Sequence, residues 1–332
     1  MDEAIAVPPP RRRTILQFLT IGLGLYLALW ALSEAIVYRS GHDNPFFKIA
    51  TADRTHYDWL ILGASHAMPL AFDDVETRLE SSAGVSIINL ALQGVGPLYN
   101  DVVLERFVRD HSASGLVYVV DSFAFRSAQW NADRLADADL LARTPFDLGV
   151  ARRLLAESVS GDLPLQAPLA YVTGFPKINN PDRFSLDLWD SVTLFDRRYR
   201  PSSTAAAERV AYLYPQGSEN PAVLEHYLDM FDGLLDRAEA AGMSVLVVKL
   251  PLPSSFVAGL PGEADFNAAL EEKLASRGLN LLDFTDRMQD PRFYFDSDHL
   301  GRQGVEALAT EILVPLLRHQ DPVETDGKTA AE

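Results

Sequence analysis

Ser65 stands in Leu62-Gly63-Ala64-Ser65-His66, directly after the apolar run Trp59-Leu60-Ile61-Leu62. His299 stands in Phe295-Asp296-Ser297-Asp298-His299-Leu300, just before the last helical pattern of the chain. A serine hydroxyl is a weak nucleophile until a base takes its proton, and an imidazole serves as that base only when a carboxylate orients it. Two loops of this chain can supply all three groups. The chemistry to expect is attack of Ser65 on an acyl ester, with His299 as base. Each motif also has a plainer use: glycine opens a turn and serine caps the next helix, and Ser297 or Asp298 can cap the helix after His299. The pair together, rather than either motif alone, points to a site.

Other polar groups fall close to these two. His66 neighbours Ser65 but projects differently on the first turn of a helix, so it reads as a pocket-lining or supporting group. Asp121 closes an apolar run and either lines the site or caps a turn. Lys249 closes another, where it either meets an anionic substrate or reaches solvent.

Composition narrows the chemistry. The 332 residues hold 29 Lys and Arg against 46 Asp and Glu, a net charge of −17, which argues against nucleic acid and against a basic surface that grips anionic lipid. The chain has no cysteine, so disulfides, thiolate metal sites and a cysteine nucleophile are excluded together. Its histidines lack the paired spacing of a zinc site on one helix, and neither a P-loop nor a Gly-x-Gly-x-x-Gly turn after a strand is present. No metal and no cofactor is expected.

The elements that must position these groups follow from periodicity. Apolar, β-branched runs predict strands at about 57–62, 85–90, 116–121, 244–250 and 279–284. Helical spacing recurs in Val103, Leu104, Phe107 and Val108, in Leu224, Tyr227, Leu228 and Phe231, and in Val305, Leu308, Ile312 and Leu316. Short buried strands alternating with helices make a three-layer α/β domain around a parallel sheet. Ligands in such sheets bind beyond the carboxyl ends of the strands, where Ser65, Gly94, Asp121 and Lys249 all fall. The stretch from 122 to 243 exceeds one crossover helix. Residues from about 125 to 215 therefore read as an insertion after the third strand. Its aromatic residues, among them Trp130, Tyr171, Phe175, Phe184, Trp189 and Phe195, either hold a sugar or another bulky acceptor or pack the insertion's own core.

At the N-terminus, Arg11, Arg12 and Arg13 precede an uncharged run from Thr14 to Ser33. At about 1.5 Å per residue that run measures roughly 30 Å, the thickness of a bilayer's hydrocarbon core. An anchor over 14–37 is the expectation, with Ser33-Glu34-Ala35 leaving a cleaved signal peptide as the competing one. The arginines favour a cytoplasmic tail at 1–13, which puts the domain at 40–320 outside the cytoplasm. The polar end at 321–332 reads as disordered.

Gly63-Ala64-Ser65 after a strand, Asn89-Leu90-Ala91-Leu92-Gln93-Gly94 after the second, and Asp296-Ser297-Asp298-His299 near the end resemble, in order, the first, second and fifth blocks of the SGNH (GDSL-like) hydrolase superfamily. The resemblance implies a flavodoxin-like three-layer fold that cleaves or transfers acyl groups through a serine. On it, Ser65 is the nucleophile, His299 the base and Asp296 its orienting carboxylate, with Ser65 and Gly94 as oxyanion donors through their backbone N–H groups. Two departures stand out. Ala64 replaces the aspartate often found there, and after the third strand Val120-Asp121-Ser122-Phe123-Ala124-Phe125 lacks the family's Gly-x-Asn-Asp. Ser122, Asn131 or a further backbone N–H would have to replace the missing asparagine, whose loss costs about 10²- to 10³-fold in rate.

A single anchor before such a domain looks most like envelope members that serve O-acetylation of exported polysaccharides or D-alanylation of teichoic acids. The implied partners are an acylated polysaccharide or other envelope ester and a multi-pass membrane O-acyltransferase, at the periplasmic or outer face of the inner membrane. The alternative is a non-catalytic scaffold of the same fold that binds polysaccharide or such an acyltransferase. A plain esterase or lipase is a third reading, though no second apolar helix suits a lid.

Overall fold

The computed structural model describes residues 12–40, 44–184 and 190–318. Residues 1–11 of the tail expected at 1–13, Trp189 and the whole tail expected at 321–332 lie outside them, while Arg12 and Arg13 begin the first helix. In chain order the principal elements are α1 (Arg12–Ser40), β1 (His56–Gly63), α2 (Val75–Ala83), β2 (Ile87–Asn89), α3 (Pro97–Asp110) and β3 (Ser112–Val119). Then come α4 (Leu148–Ser160), α5 (Gln166–Thr173), α6 (Phe175–Ile178), α7 (Ser203–Leu213), α8 (Pro221–Ala240), β4 (Ser244–Lys249), α9 (Glu263–Ser276), β5 (Leu281–Asp283) and α10 (Arg302–Leu308).

The five strands pair in parallel in the order β2-β1-β3-β4-β5, the order of doubly wound flavodoxin-type sheets. Alternation along each strand divides the apolar side chains between two layers. Leu60, Leu62, Leu116, Tyr118 and Val247 face α3, α8 and α9, where Phe107, Phe231 and Phe266 are buried. Trp59, Ile61, Val117, Val119 and Val248 face the other way, toward Leu79 of α2 and Val305 and Leu308 of α10. Each such side chain taken fully out of water contributes roughly 1.5 to 3 kcal/mol, so strands apolar on both faces are what a covered parallel sheet requires.

Strand limits differ most from the periodicity in three strands. β3 starts at Ser112, because Ala113 and Gly115 pair with β1 without adding to the apolar signal. The edge strands β2 and β5 are three residues each, having a neighbour on one side only. Pairing into β2 begins at Ser86, whose carbonyl accepts from the backbone N–H groups of Asp58 and Trp59 at 3.0 Å.

Between β3 and β4 the chain is mostly helical. Trp130, Tyr171 and Phe195 are buried there, whereas Phe175 and Phe184 are exposed. Packing thus accounts for most of the insertion's described aromatics, and the sugar-facing role considered for all of them is not available to these three buried rings in full. The far half of α1 joins this region. Tyr26 Oη donates to the Thr173 carbonyl at 3.0 Å, Trp30 meets Phe146 edge to face, and buried Glu34 pairs with Lys177 while accepting from Phe146 N at 3.0 Å.

Candidate active site

The parallel sheet delivers Ser65 to its carboxyl edge. Gly63 ends β1 so close to β3 that a side chain there would put its Cβ 2.8 Å from the Val119 carbonyl oxygen and 2.9 Å from Val119 Cβ. Glycine is therefore needed for sheet closure just where the chain turns into the short 3-10 helix Ser65–Ala71. The loop carrying His299 is closed as a small hairpin: Tyr294 bridges Leu300, and Phe295 N donates to the His299 carbonyl at 3.1 Å. Phe295 also stacks on the His299 ring, centroids 5.5 Å apart and planes 5° from parallel.

These two loops bring together the three residues proposed for catalysis. His299 Nε2 lies 3.0 Å from Ser65 Oγ, and His299 Nδ1 lies 2.9 Å from Asp296 Oδ2. Asp296 is itself fixed, its Oδ1 accepting from the backbone N–H groups of Asp298 at 3.0 Å and His299 at 2.7 Å. With Nδ1 facing a carboxylate, the neutral ring carries its proton there, and Nε2 presents a lone pair to the serine hydroxyl. Ser65 is 1% and His299 2% exposed, so the pair works in a medium where charge interactions are poorly screened.

A second imidazole stands beside the first, with His66 and His299 ring centroids 4.9 Å apart. His66 Nδ1 is 2.5 Å from Asp121 Oδ1, and its Nε2 is 3.3 Å from Asp298 Oδ2. Burial alone would lower the pKa of this ring, but the carboxylates of Asp121 and Asp298 outweigh it and push the value up to about 10. Asp298 is buried too, which disfavours its charge; His299, His66 and Arg209 override that and hold it well below the usual carboxylate range. Arg209, on α7 of the insertion, donates to Asp298 Oδ2 at 2.9 Å, and Ser297 Oγ donates to Oδ1 at 3.0 Å. His66, Asp298 and His299 each present a metal-ligand type of atom within 4.8 Å of the others. Those atoms already bond one another or Ser65, and the Arg209 guanidinium supplies the positive charge beside Asp298.

The remaining predicted residues divide. Gly94 lies on the loop after β2, which continues along β1 through Leu90 N to the Ile61 carbonyl at 2.9 Å and Leu92 N to the Gly63 carbonyl at 3.3 Å. Ser122 and Lys249 instead meet each other's partner: Glu263 accepts from both, Ser122 Oγ also contacts Tyr214 Oη at 2.6 Å, and Lys249 Nζ donates to Asn267 at 2.7 Å. Both side chains are buried in this network. Asn131 uses both amide hydrogens, on the Ala124 carbonyl at 2.7 Å and the Ser127 carbonyl at 3.0 Å, while Oδ1 accepts from Leu98 N at 3.1 Å. It has no donor left for an oxyanion, which corrects the expectation that it could replace the family asparagine.

Two contributors are not among the residues expected at the site. Arg209 sits in the insertion with nothing local to mark it. Asn89 pins the two loops to each other: its Nδ2 donates to the Ala67 carbonyl at 2.8 Å, and its Oδ1 accepts from Ala91 N at 2.9 Å. Its place in Asn89-Leu90-Ala91-Leu92-Gln93-Gly94 was a usable signal.

Clefts among the described residues border the insertion. One, of about 410 Å³, is lined by Gln93, Gly94, Trp130, Asp133, Arg134 and Tyr212, with Trp130 packed against Gly94. Another, of about 540 Å³, runs between α7 and Phe256; neither is lined by Ser65, His299 or Asp296, and the first includes Gly94.

No protein-family model matches the chain, and no curated protein does. Among solved structures it is similar to a Bacteroides fragilis protein provisionally described as an acylhydrolase, at 11% identity over 82% of this chain and 94% of that one, with a TM-score of 0.39. The chemistry therefore rests on the arrangement of Ser65, His299 and Asp296.

Proposed function

We propose that the protein is a serine-dependent ester hydrolase or O-acyltransferase of the SGNH type, held at the membrane by α1 and acting on acyl esters of an envelope polysaccharide. The observation that carries this reading is the unbroken run of contacts from Ser65 Oγ through His299 to Asp296, at 3.0 and 2.9 Å. His299 Nε2 takes the Ser65 proton as Oγ bonds to the acyl carbon. The tetrahedral oxyanion is stabilised by the backbone N–H groups of Ser65 and Gly94. Collapse breaks the ester C–O bond, and the departing alkoxide receives the proton from His299. The acyl-serine is then discharged by the reverse order of steps: His299 deprotonates a sugar hydroxyl or water, the new ester or acid forms, and the proton returns to Ser65.

A carbohydrate acceptor is supported by the cleft beside Gly94, where the exposed Tyr212 ring, braced edge to face by the buried Trp130 at 5.3 Å, stands amid Gln, Asp and Arg side chains. The anchor is supported by the apolar helix Arg12–Arg39, of mean hydropathy 1.9 over its best window. Retention of that helix is supported by Glu34. Cleavage after Ala35 would remove the carboxylate that faces Lys177, whose side chain is 2% exposed, and a buried charge stripped of its partner costs about 3 to 5 kcal/mol. A signal peptide has no reason to be built into the fold in this way.

A scaffold without catalysis is favoured by one observation: Ser122 and Asn131, the nearest substitutes for the missing oxyanion asparagine, are committed elsewhere. The two readings part in one experiment. The full chain in detergent should react with a fluorophosphonate probe and hydrolyse p-nitrophenyl acetate, and Ser65→Ala should lose both while keeping its circular dichroism. Equal labelling of the variant removes Ser65 as nucleophile, and no turnover by the wild type leaves the scaffold.

A further inference from the structure

The insertion carries an apolar face with no covering in the fold. Leu165, Leu169 and Val172 are 58%, 57% and 49% exposed, and Phe175, at the start of α6, is 61% exposed. Positions 165, 169 and 172 recur at helical spacing and so share one side of α5. From Leu163 to Pro176 no residue is charged, although 23% of the whole chain is. An uncharged surface stretch with four large apolar side chains turned outward is costly in water.

Its position relative to α1 says what covers it. Tyr26 Oη donates to the Thr173 carbonyl at 3.0 Å, and Trp30 packs against Gly174. That contact requires glycine: Gly174 has φ +66°, and a Cβ there would lie 2.4 Å from Trp30 Cδ1. The end of α5 is thus fastened at the level of residues 26 to 30. If α1 spans with Thr14–Ser33 in the hydrocarbon, Tyr26 lies roughly 10 Å inside the outer boundary at about 1.5 Å per residue. The depth reached by interfacial amphipathic helices is about 5 to 10 Å. The Thr173 carbonyl, which would be unpartnered in lipid, is the one Tyr26 satisfies.

We infer that α5 and the start of α6 form a second membrane contact, with Leu165, Leu169, Val172 and Phe175 immersed in the outer leaflet beside α1. The occupant of the face is lipid acyl chain. The inference rests on α1 being a membrane span. It gives the domain two attachments to the bilayer, one crossing and one lying in the surface, which together set the height and tilt of the sheet's carboxyl edge above the lipid.

The chain has no cysteine, so single cysteines can be labelled cleanly. Full-length Leu169→Cys and Phe175→Cys, each carrying the environment-sensitive fluorophore NBD, are reconstituted in phosphatidylcholine vesicles containing doxyl-labelled lipid. Leu23→Cys on α1 and Glu272→Cys on α9 are the membrane and solvent references. The expected result is blue-shifted emission and quenching at 23, 169 and 175, with neither at 272. Quenching at 23 while 169 and 175 behave like 272 overturns the inference and leaves the span intact; that is also the outcome if a protein partner, absent from the vesicles, covers the face. No quenching at 23 removes the span and the inference with it. Leu165→Cys provides a second α5 position should labelling at 169 unfold the protein.

Discussion

Two imidazoles stand 4.9 Å apart, ring centre to ring centre, each with a carboxylate on Nδ1. What differs is the partner of Nε2. For His299 it is the Ser65 hydroxyl, so one nitrogen is free to accept a proton. For His66 it is Asp298, a second carboxylate, which leaves the ring charged at neutral pH with a pKa of about 10. A histidine between two carboxylates is a fixed cation and a poor base. Its charge offsets Asp121 and Asp298, and it opposes a second positive charge building up on His299, while Asp298, 3.5 Å from His299 Nδ1, favours it. Adjacency to the serine in the chain therefore does not identify the base. What sets the two rings apart is the partner of Nε2.

The largest expected effect tests that contrast directly. His299→Ala should lower kcat by at least about 10⁴-fold, and His66→Gln by no more than about tenfold, measured with p-nitrophenyl acetate on protein shown to be folded. A reversed ranking would exchange the two roles.

Next come the carboxylates. Asp296→Asn should cost about 10³- to 10⁴-fold in kcat with little change in melting temperature, because it disturbs the tautomer of His299 and not a buried charge balance. Asp298→Asn should do the opposite, destabilising the fold by about 3 kcal/mol through the loss of a buried partner for His66 and Arg209. Chemical denaturation of the two variants separates them, and equal destabilisation would erase the distinction.

A smaller effect lies in the pH dependence. A group whose pKa is raised by folding contributes stability that is complete below its unfolded value and is lost as pH climbs through the folded one. The difference in melting temperature between wild type and His66→Gln should therefore be largest below pH 6.5 and shrink steadily toward pH 10. A difference that grows with pH would mean His66 is neutral in the fold. Smallest of all, Arg209→Gln should lower kcat only a few-fold, since Ser297 and His66 still hold Asp298; a loss as great as that from His299→Ala would make Arg209 part of the reacting set.

How much of this could be read from the chain depends on how local each cause is. The five strands are legible because a strand covered on both faces must be apolar throughout, and runs such as Leu116-Val117-Tyr118-Val119-Val120 have few other uses. The loops of Ser65 and His299 are legible because they follow a strand and precede a helix. The fate of His66 is not, because Asp121 and Asp298 come to it from positions 55 and 232 residues away. Lys249 and Ser122 show the same limit: one ends a strand and the other follows one closely, as a ligand-binding residue would, yet Glu263 and Tyr214 draw them into a buried network. Apolar patterning specifies layers, whereas the partner of a polar side chain is decided only when distant segments dock.

The brace between α1 and the insertion has a mechanical consequence. Tyr26, Trp30 and Glu34 are bolted to Thr173, Phe146 and Lys177, so no slack tether separates the helix from the α/β body. A flexible leash would let the pocket sweep a hemisphere and raise the local concentration of anything within its radius. A rigid elbow instead confines the serine to one pose for each orientation of the helix, so that tilting α1 steers the mouth of the pocket like a rudder.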